Sequence, residues 1–147
     1  MGEKMDEMEN FKCVHSELLM WMQYIEQDLK IIYATIKDGK FEDNYLVLKE
    51  APLGRILKEF KELDAEKGFA KIKPEEYEVL EEIRERRNYW AHQCYLDFHY
   101  IENELEKRKA FDELKKQLSQ DEDKIFELQR RIQKLRENVV KKYKYKK

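Results

Sequence analysis

The chain has 147 residues, of which 42% are charged and 41% are hydrophobic, and its formal net charge is −2. This length suits one domain with its own core, and an aromatic content of 12% excludes the composition of a disordered chain. No apolar run approaches the roughly 20 residues of a membrane helix, and the acidic start of the chain lacks the basic region of a signal peptide. The sequence therefore predicts a cytoplasmic protein without membrane contact.

The first half of the chain contains two predicted helices. Apolar residues at intervals of three and four, the spacing of one helical face, predict a helix over about residues 3–37, which Gly39 ends. Residues 41–52 are predicted to form a connection packed against the core. A second helix is predicted over about residues 53–67, where Gly68 closes it.

The third predicted helix begins at Pro74, because proline is favoured in the first helical turn. Its apolar stripe continues to Leu105, and Arg87 occupies a stripe position where an apolar residue is expected. A polar and aromatic row at spacings of four, four, three and four runs beside the stripe, formed by Arg84, Asn88, His92, Tyr95 and His99. Such a row next to a buried edge indicates a cleft or a subunit interface.

The last predicted helix has a heptad seam of about four repeats, which only Asp121 breaks. The apolar residues of the seam are Phe111, Leu114, Leu118, Ile125, Leu128, Ile132, Leu135 and Val139. Residues 119–122 fit a capping box that would start a new helix, but the unbroken phase favours one long helix. The predicted fold class is all-α, a four- to five-helix antiparallel bundle with a long C-terminal helix that carries the seam.

Two regions follow from this organisation. Residues 1–109 are predicted as the helical bundle. Residues 110–147 are predicted as the heptad-patterned helix with a basic tail, either part of the same domain or overhanging it and pairing with a second copy.

The C-terminal segment is strongly basic. Residues 130–147 contain nine cations and one carboxylate, a net charge of +8 that leaves the preceding residues near −10. A basic end on an acidic body is typical of contact with a nucleic acid or an anionic surface, and a solvated terminus is the alternative. The candidate RNA contacts here are Lys141, Lys142 and Lys144. Trp21 and Tyr24 are predicted as core or interface aromatics, and not as a platform for stacking bases.

Three side chains of the third helix suit phosphate chemistry. Histidine acts as a general acid or base, here His92. Arg87 can hold phosphate oxygens bidentately, and Asn88 can orient either group. No cluster of His, Cys or carboxylate residues has metal-ligand spacing, so neither a metal nor another cofactor is expected. Arg87 and His92 lie about 140° apart on an ideal helix. A homodimer that pairs two such helices therefore belongs to the hypothesis.

The segment Arg87-Asn88-Tyr89-Trp90-Ala91-His92 resembles the R-x4–6-H motif of HEPN domains in its Arg-Asn start and its Ala-His end. The resemblance implies a commonly dimeric helical bundle and a metal-independent endoribonuclease of toxin or defence type. Arg87 and His92 would be catalytic, Asn88 and Tyr95 supporting, and Arg84 and Arg86 in contact with RNA. An antitoxin or another protein partner is implied as well. Some HEPN toxins carry a modified tyrosine two residues after the histidine; here Tyr95 stands three residues after it, so that modification is not carried over.

Two other functions stay open. One is a non-catalytic HEPN-like module that binds RNA, a nucleotide or a protein through the same cleft. The other is a structural or assembly protein of coiled-coil type, built on the heptad seam. In a purely structural interpretation, Arg87 pairs with a carboxylate of the first or second helix, and His92 is a surface or packing residue.

Overall fold

The computed structural model describes residues 6–144 and places six helices in them. In chain order these are α1 (Glu7–Ile36), α2 (Phe41–Leu48), α3 (Leu53–Lys67), α4 (Pro74–His92), α5 (Leu96–His99) and α6 (Glu104–Lys144). The same residues contain no β-strand. The prediction of an all-α bundle with one long C-terminal helix is confirmed. Over the described part of the chain, no helix combines the length and the apolarity that crossing a bilayer requires.

Local sequence explains where several helices begin and end. The Asp6 carboxylate accepts a hydrogen bond of 2.7 Å from the Met8 amide and so caps α1. Gly68 follows α3 in the left-handed conformation, with φ of 60°, which glycine adopts without steric cost. Pro74 occupies the first turn of α4, where its missing amide hydrogen is not needed.

The bundle is organised around α1 and α6, which run parallel to each other. The rings of Phe11 and Phe111 lie 5.5 Å apart, and farther along both helices the rings of Trp21 and Phe126 lie 5.3 Å apart. All eight apolar residues of the seam are buried within this single chain. The seam is therefore covered by the chain's own helices.

α4 runs antiparallel to both α1 and α6. Its C-terminal end lies near the start of α1, where the Trp90 carbonyl is 2.6 Å from His15 Nε2. Its first turn lies near the C-terminal half of α6, where Arg131 Nε is 3.3 Å from Glu76 Oε2. Residues 93–103, which include α5, return the chain from the end of α4 to the start of α6.

Asp121 interrupts the seam because it contacts α4. Its Oδ2 atom accepts a hydrogen bond of 2.7 Å from Trp90 Nε1, and Arg86 Nε donates to the same oxygen. α6 continues without a break through residues 119–122, so the capping box of this segment does not start a new helix, as the phase of the seam predicted.

The connection predicted over residues 41–52 contains the short helix α2, which is a correction. Only two of its side chains, Asn44 and Leu48, are buried. Asn44 Nδ2 donates to the carbonyls of Ala34 at 3.2 Å and Lys37 at 3.0 Å. α2 is thus fixed to the end of α1 by one buried amide as well as by apolar contact, so helical periodicity does not reveal it.

The third predicted helix ends earlier than expected, at His92 and not near Leu105. The amides of Gln93 and Cys94 both donate to the Tyr89 carbonyl, which closes the last turn of α4. Phe98 then packs on the aromatic core, with its ring 5.3 Å from that of Phe111. The apolar spacing persists across the break because α5 still presents its apolar side to the core.

Candidate functional site

Arg87 points from α4 to α1. Its Nη1 atom lies 2.5 Å from Glu26 Oε1, and the side chains of Arg87 and Glu26 are 33% and 10% exposed. The partner is therefore a carboxylate of the first helix, as the structural interpretation expected. Burial raises the pKa of Glu26, and the nearby charges of Arg87 and Lys30 oppose this shift only in part. The pair orients the arginine at the edge of the core.

His92 is the last residue of α4, and its side chain is exposed. Asn88 is exposed one turn earlier, and residues four apart share a helical face. Arg84 extends this face by another turn, and its Nε atom donates to Glu81 Oε2 at 2.9 Å. The structure therefore brings Arg84, Asn88 and His92 together on one solvent-facing surface, which we call the α4 face.

Tyr95 and His99 do not belong to the α4 face, which corrects the predicted five-residue row. Both follow the end of α4, so the helical spacing no longer applies to them. The Tyr95 hydroxyl lies 3.2 Å from His15 Nδ1, and His99 is exposed on α5. Tyr95 supports His15 and not His92.

Arg86 faces α6 instead of solvent. Besides its contact with Asp121, its Nη2 atom donates to Gln117 Oε1 at 3.3 Å, and its guanidinium lies 5.4 Å from the centre of the Trp90 ring. These contacts direct Arg86, which the sequence predicted as an RNA contact, toward α6, although 37% of its side chain is exposed. Arg86 therefore has a structural role in this arrangement.

The predicted lysine contacts lie at the other end of the molecule. Lys141 and Lys142 are exposed in the last turns of α6. Lys144 ends the helix, and its side chain lies outside the described residues, as do Lys146 and Lys147. The basic tail and the α4 face are therefore separate features of one chain.

His15 is a polar residue whose role the sequence did not reveal. Its Nε2 atom is 2.6 Å from the Trp90 carbonyl, to which it donates, and its Nδ1 atom accepts from Tyr95. Cys94 Sγ lies 3.6 Å from His15 Nε2. Burial raises the pKa of Cys94 to about 11, so the thiol is protonated near neutral pH and is a poor nucleophile. The cluster caps the end of α4. One feature of the sequence could have indicated this role of His15: it follows the buried Phe11 by one helical turn.

One chain does not bring Arg87 and His92 to a common point. Arg87 contacts α1, whereas His92 faces solvent about 140° farther around the helix. Among residues 6–144, no group of three His, Cys, Asp or Glu side chains is arranged to hold a metal ion. Comparisons of the chain with protein-family models, with curated proteins and with solved structures found no match.

Proposed function

We propose that this chain is a cytoplasmic HEPN-type endoribonuclease of the toxin or defence class, which acts as a homodimer without a metal ion. The observation that carries the proposal is the exposed position of His92 at the end of α4, with Asn88 on the same face. An imidazole in this position can reach an RNA strand that lies across the C-terminal end of α4. Asn88 can orient either the imidazole or a phosphate by a hydrogen bond.

Arg87 is the second proposed catalytic residue. Its ion pair with the buried Glu26 limits its rotamers, and one third of its side chain is still exposed. A guanidinium has five N–H donors, so binding one carboxylate oxygen leaves donors for a phosphate. In the proposed dimer, a two-fold axis brings the α4 helices of both copies to one cleft, which supplies Arg87 and His92 together.

The proposed reaction uses the RNA as its own nucleophile. The 2′-hydroxyl oxygen attacks the adjacent phosphorus, and the P–O5′ bond breaks as the P–O2′ bond forms. His92 accepts the 2′-hydroxyl proton or donates a proton to the leaving 5′-oxygen, with water making the other of these two transfers, and Arg87 stabilises the charge of the phosphorane-like transition state. The products are a 2′,3′-cyclic phosphate and a 5′-hydroxyl.

The first prediction concerns this reaction. Purified protein cleaves RNA in the presence of EDTA, and His92→Ala and Arg87→Ala each lower the cleavage rate at least about a hundredfold, the scale of lost general acid–base or electrostatic catalysis. His99→Ala is the matched control, since His99 is exposed on α5 outside the α4 face. Circular dichroism verifies that each variant is folded. Cleavage that requires a metal, or that survives His92→Ala, would contradict the mechanism.

A mixing experiment tests the composite cleft. The Arg87→Ala and His92→Ala proteins each lack one catalytic side chain, but their heterodimer keeps one arginine and one histidine. Partial recovery of cleavage on mixing supports a shared cleft. No recovery, although sedimentation shows subunit exchange, would argue against it.

A non-catalytic RNA- or nucleotide-binding module is the second candidate, and the Glu26–Arg87 pair favours it. The negative charge of Glu26 offsets the positive charge of Arg87, which would otherwise stabilise a transition state. In that case RNA binds without turnover, and Arg87→Ala weakens the binding. Equilibrium binding measured beside the cleavage assay separates the two functions.

A further inference from the structure

A surface groove runs between α1 and α6 on the flank of α6 opposite to the one that contacts α4. Each helix lines it with a second row of residues at spacings of three and four, outside the buried seam. The row on α1 includes Trp21, Tyr24, Asp28, Ile31 and Thr35. The row on α6 consists of Phe126, Gln129, Gln133, Arg136, Val140 and Tyr143. From Phe126 to Tyr143 the groove is about 26 Å long, at 1.5 Å of rise per residue.

Two cavities follow each other along this groove. The first has a volume of about 290 Å³ between Trp21, Tyr24 and the glutamines of α6. The second has a volume of about 360 Å³ and is bordered by Phe41 and Tyr143. Both volumes lie near the lower end of the range for ligand pockets, roughly 300–1,000 Å³. They suit one small planar group each.

An aromatic ring reaches the surface at the first cavity. The sequence predicted core or interface positions for Trp21 and Tyr24; Trp21 is half-buried against the core, and Tyr24 is exposed. Tyr24 is 46% exposed, and its ring lies 5.8 Å from that of Trp21. The Trp21 ring in turn contacts Phe126. The Trp21 indole N–H is buried without an acceptor among the described residues, so a rotation toward a base breaks no hydrogen bond. Exposed rings of this kind stack on unpaired bases.

The middle of the groove is polar. Gln129 Nε2 donates to Gln133 Oε1 at 2.9 Å, and Arg136 Nε lies 2.9 Å from Asp28 Oδ1. Gln129 and Asp28 are themselves buried, whereas Gln133 and Arg136 are half-buried and reach the groove. An apolar helix stripe docked here would cover these two side chains without new partners, which is unfavourable. Base edges, in contrast, offer donors and acceptors for the Gln133 amide.

Exposed cations of α6 lie beside the groove: Arg130, Lys134 and Lys141 each follow a lining residue by one position, about 100° around the helix. From Arg130 to Lys144, α6 has seven cations and one carboxylate, Glu137. Glu137 accepts a hydrogen bond from Gln133 and lies 3.9 Å from Arg136. Arg130, Lys134 and Lys141 are exposed, and none of them forms an ion pair with a carboxylate within residues 6–144. Their charges are thus available for phosphates.

We propose that this α1–α6 groove binds single-stranded RNA. Bases enter the two cavities and stack on the aromatic rings, while Arg130, Lys134 and Lys141 contact the phosphates. The site is separate from the α4 face. The inference requires RNA as a ligand but does not depend on cleavage at Arg87 and His92.

The second prediction tests the groove by fluorescence anisotropy with a short labelled single-stranded uridine oligonucleotide. All proteins carry His92→Ala, so the measurement stands whether or not the chain cleaves RNA. Tyr24→Ala weakens binding about tenfold, the scale of one lost stacking contact. Lys134→Glu also weakens binding and lowers the steepness of its salt dependence by at least about 0.7 in log–log units.

Two matched controls complete the experiment. Tyr100→Ala removes an exposed tyrosine far from the groove, and Lys116→Glu makes the same charge change at an exposed position of α6. Both bind like the parent protein. Equal affinities for all four variants would overturn the proposal. So would a Tyr24→Ala protein that sediments as a smaller species while its RNA affinity is unchanged, because the groove would then be a protein interface.

Discussion

Arg87 illustrates how a charged side chain occupies an apolar helical stripe. Two thirds of its side chain is buried, and its guanidinium ends at the Glu26 carboxylate on α1. Arginine stems can cover apolar surface in this way while the charged head stays polar. Removing either partner leaves the other charge with less compensation in a partly desolvated position. This is why the cleavage assays need verification of the fold.

The third prediction concerns Glu26 and pH. Because burial raises the pKa of Glu26, the folded state keeps this proton to a higher pH than the unfolded state does. The contribution of Glu26 to the free energy of unfolding is thus fully present below the ordinary glutamate pKa, about 4.3. It decreases as the pH rises through the raised value. Glu26→Gln removes the titrating carboxyl group, so the free energy of unfolding of the variant does not decrease for this reason. Relative to the parent, the variant therefore gains stability as the pH rises from the ordinary glutamate pKa through the raised pKa of Glu26.

Urea unfolding followed by circular dichroism between about pH 4 and pH 7 measures this difference. Glu78→Gln is the matched control, since Glu78 is exposed on α4. A stability difference between Glu26→Gln and the parent that stays constant with pH would contradict the assignment.

Some properties of these residues could be predicted from the sequence, and others could not. The position of Arg87 in an apolar stripe indicates a carboxylate partner, but several acidic residues of α1 are candidates, and only the packing selects Glu26. Helical spacing correctly groups Arg84, Asn88 and His92. It fails for Tyr95, because the chain turns after His92 and the hydroxyl reaches His15 on α1.

At the scale of elements, periodicity predicts a helix where one face is buried along most of its length. This holds for α1, α3 and α6. It does not hold for α2, which exposes Leu46 to 62% and is fixed to α1 in part by the buried amide of Asn44. Nor does it locate the end of α4, because hydrogen bonds to the Tyr89 carbonyl end the helix while the apolar spacing continues.

Asp121 carries the fourth prediction, because it links α4 to α6. Asp121→Ala leaves the indole N–H of Trp90 and one donor of Arg86 without their acceptor. Loss of a buried acceptor costs about 1–3 kcal/mol, so the free energy of unfolding decreases by that amount. Asp121→Asn keeps an oxygen for Trp90 and loses less.

Urea denaturation compares these variants with Asp123→Ala, which removes an exposed carboxylate from the same helix. The order of stability should be the control, then Asp121→Asn, then Asp121→Ala. A stable Asp121→Ala protein would show that the α4–α6 contact does not depend on this carboxylate.

At the scale of the whole molecule, the long C-terminal helix is a central part of the core. α6 runs parallel to α1 from Phe111 to the last turns of the helix, and its seam is buried against the bundle of the same chain. An assembly based on this seam would require α6 to leave the bundle first. Self-association, as the proposed nuclease needs, therefore has to use another surface, and the α4 face is available for it.

The fifth prediction follows from this arrangement. A chain that ends after Lys109 loses eight buried apolar side chains of the seam. At roughly 1.5–3 kcal/mol for each side chain, the loss is roughly 12–24 kcal/mol, which equals or exceeds most of the 5–15 kcal/mol range by which a typical domain is stable. We expect the shortened chain to show no cooperative thermal transition in circular dichroism. A chain that ends after Lys142 keeps the whole seam and should unfold cooperatively. A cooperative transition in the shorter chain would mean that the first five helices form a core without α6.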